Sequence, residues 1–264
     1  MTDRRVLMQP AYVLHQRAYR DTSALVELFS PEHGRVGVIA RGVRGKKSRW
    51  RGILQVFQPL LVSWTLRGEL GTLTAVEAQG PALMQAPEFI ASGFYLNEIL
   101  MRLLTRHDPH AELFGSYDSV LREVAGIDAG DGDANILLES LLRKFELQML
   151  TSLGYGLVLD HDVESGAVIC SNQEYTYFFE RGPVAATSTG EGVANISGNT
   201  LIALQAGDLS EQKTRKEAKY LLRAILGQYL GNKPLLSRQL MQPAKKHQPL
   251  TVVASGEHTH NVSS

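Results

Sequence analysis

Eight basic side chains fall in one acid-free run. Between Glu32 and Glu69 there is no Asp or Glu, while Arg35, Arg41, Arg44, Lys46, Lys47, Arg49, Arg51 and Arg67 all occur. Six of the eight crowd into RGVRGKKSRWRG (41–52), with the indole of Trp50 among them. Closely spaced cations neutralise phosphates and release counterions, so each contact to a single strand steepens the log-log salt dependence by about 0.7. An aromatic face stacks on a base for about 1–3 kcal/mol without reading its identity. Arg35, Arg41, Arg44, Lys46, Lys47, Arg49, Trp50 and Arg51 are therefore the candidate nucleic-acid contacts. The same pattern also fits a solvated basic face, or a docking surface for an acidic protein, with Trp50 packed on its own fold.

The whole chain carries 27 basic and 27 acidic residues, so the net charge of zero says nothing about a polyanionic partner. Its distribution does, because the remainder of the chain then carries a net charge of −8. Motifs for catalysis are missing. RGVRGKKS resembles a phosphate-binding loop, but the first glycine of that pattern falls on Ala40. No G-x-S-x-G or H-E-x-x-H occurs, and GEGVAN (190–195) ends in Asn195 where a dinucleotide loop needs Gly. His107-Asp108-Pro109-His110 reads as a turn between helices rather than a metal site. The single cysteine, Cys170, excludes an internal disulfide and any multi-thiolate metal site, and reads as a small buried or half-buried residue. The reading is a non-enzyme with no cofactor and no metal.

The basic loop must be held by something, and its flanks are strand-like. AYVLHQR (11–17), ALVELF (24–29) and RVGVIARGV (35–43) alternate in short apolar patterns, with SPEHG as a turn. ILQVFQPLLVSW (53–64) is rich in β-formers, Pro59 marking an edge or bulge, and a turn at Arg67-Gly68 leads to LGTLTAVEAQ (70–79). Five short strands with a long irregular connection fit a closed barrel of the OB type.

From Pro87 the period becomes helical, through Phe89, Leu96, Ile99, Leu100 and Leu103, and again through Leu113, Tyr117, Val120 and Val124. A third helix spans about 135–153, closed by Gly154 and Gly156. Residues 160–198 lose the period, with a hairpin at EYTYFFERG and a Gly/Ser/Thr-rich loop, before helices near 199–206 and 210–230. The fold class is α+β multidomain: an N-terminal OB-fold β-barrel (1–80), then an all-helical domain (81–242) with a small β-hairpin insertion (160–198) and a mobile tail (243–264). The chain lacks a run of about 18 apolar residues, and its N-terminus lacks a signal-peptide core, so the expected compartment is the cytoplasm.

Two further helical faces carry charge. On the third, Leu142, Phe145, Met149 and Leu153 share one side with Arg143 and Lys144 beside them, which reads as a core helix rather than a peptide groove. On the last long helix, Lys213, Arg215, Lys216, Lys219 and Arg223 alternate with Glu211 and Glu217, which reads as a solvated face.

From Ala11 to about Met241 the chain resembles the RecO recombination mediators. The resemblance rests on YVLHQRAYRDTSALVELFSPEHGRVGVIARGVRGKKSRWRGILQVFQPLLVSW, RGELGTLTAVEA, GFYLNEILMRLL, LLRKFELQMLTSLGYGLVLD and GNKPLLSRQLM, in the family's order. It implies a DNA repair and recombination protein that binds single- and double-stranded DNA and anneals complementary strands. With RecR, such a protein helps load RecA onto strands coated by single-stranded DNA-binding protein. It implies DNA binding over Arg35 to Arg51, and a site on the helical domain for the acidic C-terminal tail of single-stranded DNA-binding protein. By position in and just after LRKFELQML, Arg143 and Lys144 are its candidate cations, and Leu147, Leu150 and Leu153 candidates for its pocket wall or the support of that wall. Many members carry four zinc-binding cysteines after the L-G-Y-G motif. This chain offers only Cys170 there, so the insertion is expected to be metal-free and held by contacts such as those of Tyr175, Tyr177 and Phe178. A protein-interaction adaptor with weak intrinsic DNA affinity, and an RNA-binding OB protein, are the competing readings.

Overall fold

A computed structural model describes residues 4–45, 48, 50–186, 192–231 and 233–240. Of the predicted contacts, Lys46, Lys47 and Arg49 lie outside the described residues, as does the tail from 243.

Five strands, β1 (Arg4–Tyr19), β2 (Ser23–Ser30), β3 (Gly34–Ala40), β4 (Leu60–Arg67) and β5 (Leu70–Ala78), close into a barrel in the order β1-β2-β3-β5-β4. One long strand makes the closure possible. The first half of β1 pairs with β4 (Val6 opposite Trp64) and its second half with β2 (Gln16 opposite Val26), with bulges between Val6 and Gln9 and between Val13 and His15. Bulges bend a strand, which is what sharing it between two sides of a barrel requires. The last seam is parallel, Gly37–Ile39 of β3 beside Leu70–Thr72 of β5.

Residues 11–14 and 24–30 are buried on both strand faces, so simple alternation fails there. Val13, Val26 and Leu28 fill the barrel, whereas Tyr12, Leu14 and Phe29 belong to the core of the helical part. The reason is cover: α1 (Pro87–Leu103) and α2 (Ala111–Ala125) lie against the outer face of β1 and β2. Tyr12 and Phe29 meet the rings of Tyr117 and Phe114 at 5.2 and 5.4 Å between centroids. Polar groups tie the same seam, since Asn97 donates to the Leu14 carbonyl at 2.9 Å, Tyr117 donates to Asn97, and Tyr12 donates to Asp118.

The expected strand over 53–64 begins only at Leu60. Residues before it are plugs rather than strand: Leu54 is buried in the barrel and Phe57, at φ +62°, in the helical core. A run of β-formers carries no information about which core each side chain enters. Gly93 on α1 is required by this arrangement, because a Cβ there would lie 2.8 Å from the Phe57 ring.

After α3 (Ala134–Ser152) the insertion is a three-stranded sheet rather than a hairpin, with β6 (Glu174–Phe178) between β7 (Gly182–Ala185) and β8 (Ala194–Ser197). The third strand comes from the end of the segment that reads as a polar loop. Tyr175 and Tyr177 are buried as expected and Phe178 is half-buried, but a carboxylate also clasps the subdomain. Asp162, 4% exposed, accepts from the backbone N–H groups of Glu164 (2.9 Å), Ser165 (2.8 Å) and, on β7, Ala185 (2.7 Å). Burial alone would raise its pKa; the three N–H donors outweigh that and hold the carboxyl below the usual range. Cys170 is exposed, contrary to its sequence reading, because its backbone rather than its thiol is used: its N–H donates to the Tyr175 hydroxyl.

The chain ends in α4 (Gly198–Ala206), α5 (Gln212–Leu230) and α6 (Ser237–Leu240). Ser197 caps α4 at its N-terminus, and Glu98 of α1 accepts from Leu236 N, Ser237 N and Ser237 Oγ at the start of α6.

Candidate nucleic-acid interface

The connection from β3 to β4 leaves one end of the barrel and is anchored there. Val43 is buried in the barrel core, the Arg44 N–H donates to the Thr22 carbonyl in the β1–β2 turn at 2.8 Å, and Gly42 turns the chain at φ +68°. Burying Val43 leaves its neighbours outward, so Arg41, Arg44 and, further on, Arg51 are exposed. Trp50 is half-buried and packs against the barrel core, so the indole is not a freely projecting platform. Its carbonyl accepts from the Ile53 and Leu54 N–H groups, closing the loop back toward the barrel.

Two cations that sequence reasoning did not single out share this end. The β1–β2 turn brings Arg20 beside Arg44, whose Nη1 donates to the Arg20 carbonyl at 3.4 Å, and the Arg20 guanidinium lies 5.3 Å from the Tyr19 ring centroid. Arg17 is exposed on β1, opposite Leu25, next to the rung where Ala24 meets Ala40. The signal was the strand ending HQRAYR, whose basic side chains close on the loop only once β1 and β2 are paired. Asp21 is the exposed acid of the same turn.

Arg35 does something else. Its guanidinium donates to the Met101 carbonyl at the end of α1 and lies 3.6 Å from Glu27, which Arg106 also engages. The backbone follows: His107 N donates to Arg35 O at 3.0 Å, and Gly34, at φ +61°, meets the Asp108 backbone where no Cβ would fit. Burial pulls the Arg35 pKa below its ordinary value, Glu27 opposes this and Arg106 adds to it. Arg35 is a clamp between barrel and helices, with 18% of its side chain left exposed. His107 and His110 lie on the same connection, His110 beside Asp108 at 3.2 Å.

The five residues expected to hold a peptide tail do not line one pocket. Neighbours on a helix differ by about 100°, so Arg143 and Lys144 face different hollows. Lys144 and Leu147 line a groove of about 410 Å3 with Leu204 and Leu209. Leu150 is fully buried and Leu153 half-buried against the core, which leaves them as support. Arg143 opens on a larger cleft of about 720 Å3 between α1, α3, α5 and α6, lined also by Tyr95, Leu138, Leu142, Arg223 and Arg238. Within it Arg143 and Tyr95 both donate to Glu146 Oε1. Burial would lower the Arg143 pKa, but Glu146 outweighs it and the value rises. The Arg143 Nε has no hydrogen-bond partner among the described residues. Lys219 and Arg223 of α5 and Arg238 of α6, which sequence reasoning did not assign to a pocket, converge on this cleft.

No group of His, Cys, Asp and Glu suited to a metal ion, and no helix long and apolar enough to cross a membrane, occurs among the described residues.

Family models agree with this architecture. Residues 5–81 match the recombination protein O N-terminal model and residues 84–239 the C-terminal one. The chain is 44% identical to the DNA repair protein RecO of Nitrosococcus oceani over 242 residues, 92% of this chain and 95% of that protein. It is 45% identical to the DNA repair protein RecO of Methylococcus capsulatus (90% and 94% covered) and 42% identical to that of Coxiella burnetii (90% and 99%). With both halves matched in order and relatives aligned end to end, this chain belongs to the RecO family of DNA repair proteins.

Proposed function

We propose that this chain binds single- and double-stranded DNA at the basic end of its barrel and anneals complementary strands. With RecR it would help load RecA onto strands coated by single-stranded DNA-binding protein. The observation that carries the reading is the cluster of exposed Arg41, Arg44 and Arg51 on an OB-type barrel end, extended by Arg17 and Arg20. Exposed cations on such a loop bind phosphates without reading sequence. Residues 1–80 would form the DNA-binding domain and 81–242 the partner-binding one, at work in the bacterial cytoplasm. No step of this activity makes or breaks a covalent bond, so no catalytic residue or cofactor is assigned.

The tail of single-stranded DNA-binding protein, an acidic peptide with a free carboxylate, is placed in the cleft at Arg143. A carboxylate suits the unsatisfied Nε and the converging Lys219 and Arg238, and Leu138 and Leu142 supply the apolar wall.

Fluorescence anisotropy of a labelled oligonucleotide across a salt series, with and without a copy of the acidic tail peptide, tests both sites. The expected outcome is a steep salt slope together with saturable peptide binding. Peptide binding without DNA binding would favour the adaptor reading, and preference for RNA of equal length the RNA-binding one.

A further inference from the structure

Along α5 the acids that alternate with the lysines in sequence do not alternate with them in space. Glu217 turns inward, where its Oε2 accepts from Ser197 N (3.1 Å), Ser197 Oγ (2.7 Å) and Thr200 Oγ1 (2.7 Å) at the N-terminus of α4. Those hydroxyl and N–H donors, with Lys213 beside them, outweigh burial and hold its carboxyl below the usual range. Glu211 precedes the first turn of the helix. The exposed positions of α5 are Gln212, Lys213, Lys216, Lys219, Tyr220, Arg223, Gly227 and Gln228, with no acid among them.

Ion pairing divides these cations further. Lys219 reaches Glu139 at 2.6 Å, and Lys213 lies 3.5 Å from Glu217 and 4.0 Å from Glu174. Lys216 and Arg223 make no ion pair among the described residues, and between them Tyr220 is 60% exposed. Positions 216, 220 and 223 follow one face at i, i+4 and i+7. The stripe is about 10 Å long, the rise of about three stacked nucleotides. Two unpaired cations flanking an open phenol ring repeat, on a helix, the pairing of charge and stacking surface that a single strand uses.

We propose that the outer face of α5, through Lys216, Tyr220 and Arg223, is a second contact for a nucleic-acid strand, separate from the barrel end. The proposal rests on the DNA-binding reading above and adds to it a place for the complementary strand, so that one chain holds both strands during annealing. Charge complementarity favours this occupant, since the exposed positions of the helix carry four cations and no acid, and two of those cations, Lys216 and Arg223, have no ion pair among the described residues.

The test uses the full chain with Lys216→Glu and Tyr220→Ser combined, both at exposed positions away from the cleft at Arg143. Three quantities are read: affinity for one labelled strand, the rate at which a second labelled complementary strand anneals by energy transfer, and binding of the acidic tail peptide as a control for the fold. The expected result is single-strand affinity within about twofold of wild type, unchanged peptide binding and annealing slowed at least about tenfold. Lys216→Arg with Tyr220→Trp should keep annealing near the wild-type rate. Annealing that is unchanged in the charge-reversed variant, as expected if the stripe docks a protein or only meets solvent, overturns the proposal. So does a parallel loss of strand affinity and annealing, which would mean a single site. A wild-type chain that binds no strand at all would instead overturn the DNA-binding reading, and this inference with it.

Discussion

Arg35 and Arg44 are nine residues apart in one acid-free run, yet the seam between barrel and helices takes the first and the open barrel end keeps the second. The difference lies in what each strand face meets. Glu27 is on the outer face of β2, between Val26 and Leu28 that fill the barrel, and helices cover that face. A carboxylate with 7% of its side chain exposed needs counter-ions, and Arg35 from β3 and Arg106 from the connection after α1 supply them. Past Ala40 the chain leaves the covered face, and Arg41, Arg44 and Arg51 meet solvent. Basic residues in one segment therefore meet two fates, holding the seam or facing solvent, and burial of the neighbouring acid decides which.

The largest effect is expected where this comparison is most easily broken. Glu27→Gln leaves two guanidinium groups at the seam without their anion, and losing one partner of a buried ionic cluster costs about 3 kcal/mol or more. Urea unfolding should show that loss, while the salt slope of DNA binding in the folded fraction stays as in wild type. A changed slope with unchanged stability would place Arg35 among the phosphate contacts after all.

A smaller loss is expected at Asp162, whose role also depends on a buried acid. Asp162→Asn must turn an amide NH2 toward one of the N–H donors of Glu164, Ser165 or Ala185, at a cost of about 2 kcal/mol near neutral pH. The sign with pH follows from the lowered pKa of the folded state. The stabilisation is fully present above the unfolded value of about 3.9 and disappears as the pH falls through the folded value. Variant and wild type should therefore converge in stability as the pH falls below the folded-state value and the wild-type carboxyl protonates. A gap that persists at low pH would mean that packing, rather than charge, is what Asp162 contributes to the insertion.

These cases show what the sequence carried. The five barrel strands and the long helices were legible because alternation and the 3.6-residue period survive wherever one face is wet. They failed in the connection before β4, where β-forming side chains such as Leu54 and Phe57 enter different cores from irregular backbone. The basic loop was legible because no acid lies near it in sequence. Arg35 was not, because its anion sits on the neighbouring strand and its carbonyl partner, Met101, is 66 residues away. The cleft at Arg143 was half legible: one cation came from the motif on α3, but Lys219, Arg223 and Arg238 arrive from elements that only tertiary packing brings there. On α5 the local pattern told half, since Glu217 pairs with Lys213 through one oxygen, as its spacing suggests, and caps α4 through the other.

At the barrel end the expectation reverses that for Glu27. Arg41→Glu, Arg44→Glu and Arg51→Glu together should weaken single-strand binding at least about tenfold, or about 1.4 kcal/mol, and lower the log-log salt slope by about 2. Exposed side chains of this kind change stability by no more than about 0.5 kcal/mol, so the unfolding midpoint should not move. Reduced stability with unchanged DNA affinity would exchange the roles assigned to the two regions.

The smallest effect sharpens where recognition stops. Arg17 is exposed on β1, on the strand that also forms the seam through Tyr12 and Leu14, so it marks the border between the two regions. The bulge between Val13 and His15 is what turns the strand from one environment to the other, after which His15, Gln16 and Arg17 are all exposed. If the phosphate path runs across the β1–β2 hairpin, Arg17→Ser removes one contact, lowering the salt slope by about 0.7 and leaving stability untouched. If the slope stays at the wild-type value, the path turns away at Arg20 and the interface is confined to the two loops at the barrel mouth. Either result measures how far a single strand follows β1 before the helical cover begins, because beyond Leu14 the outer face of that strand belongs to the seam.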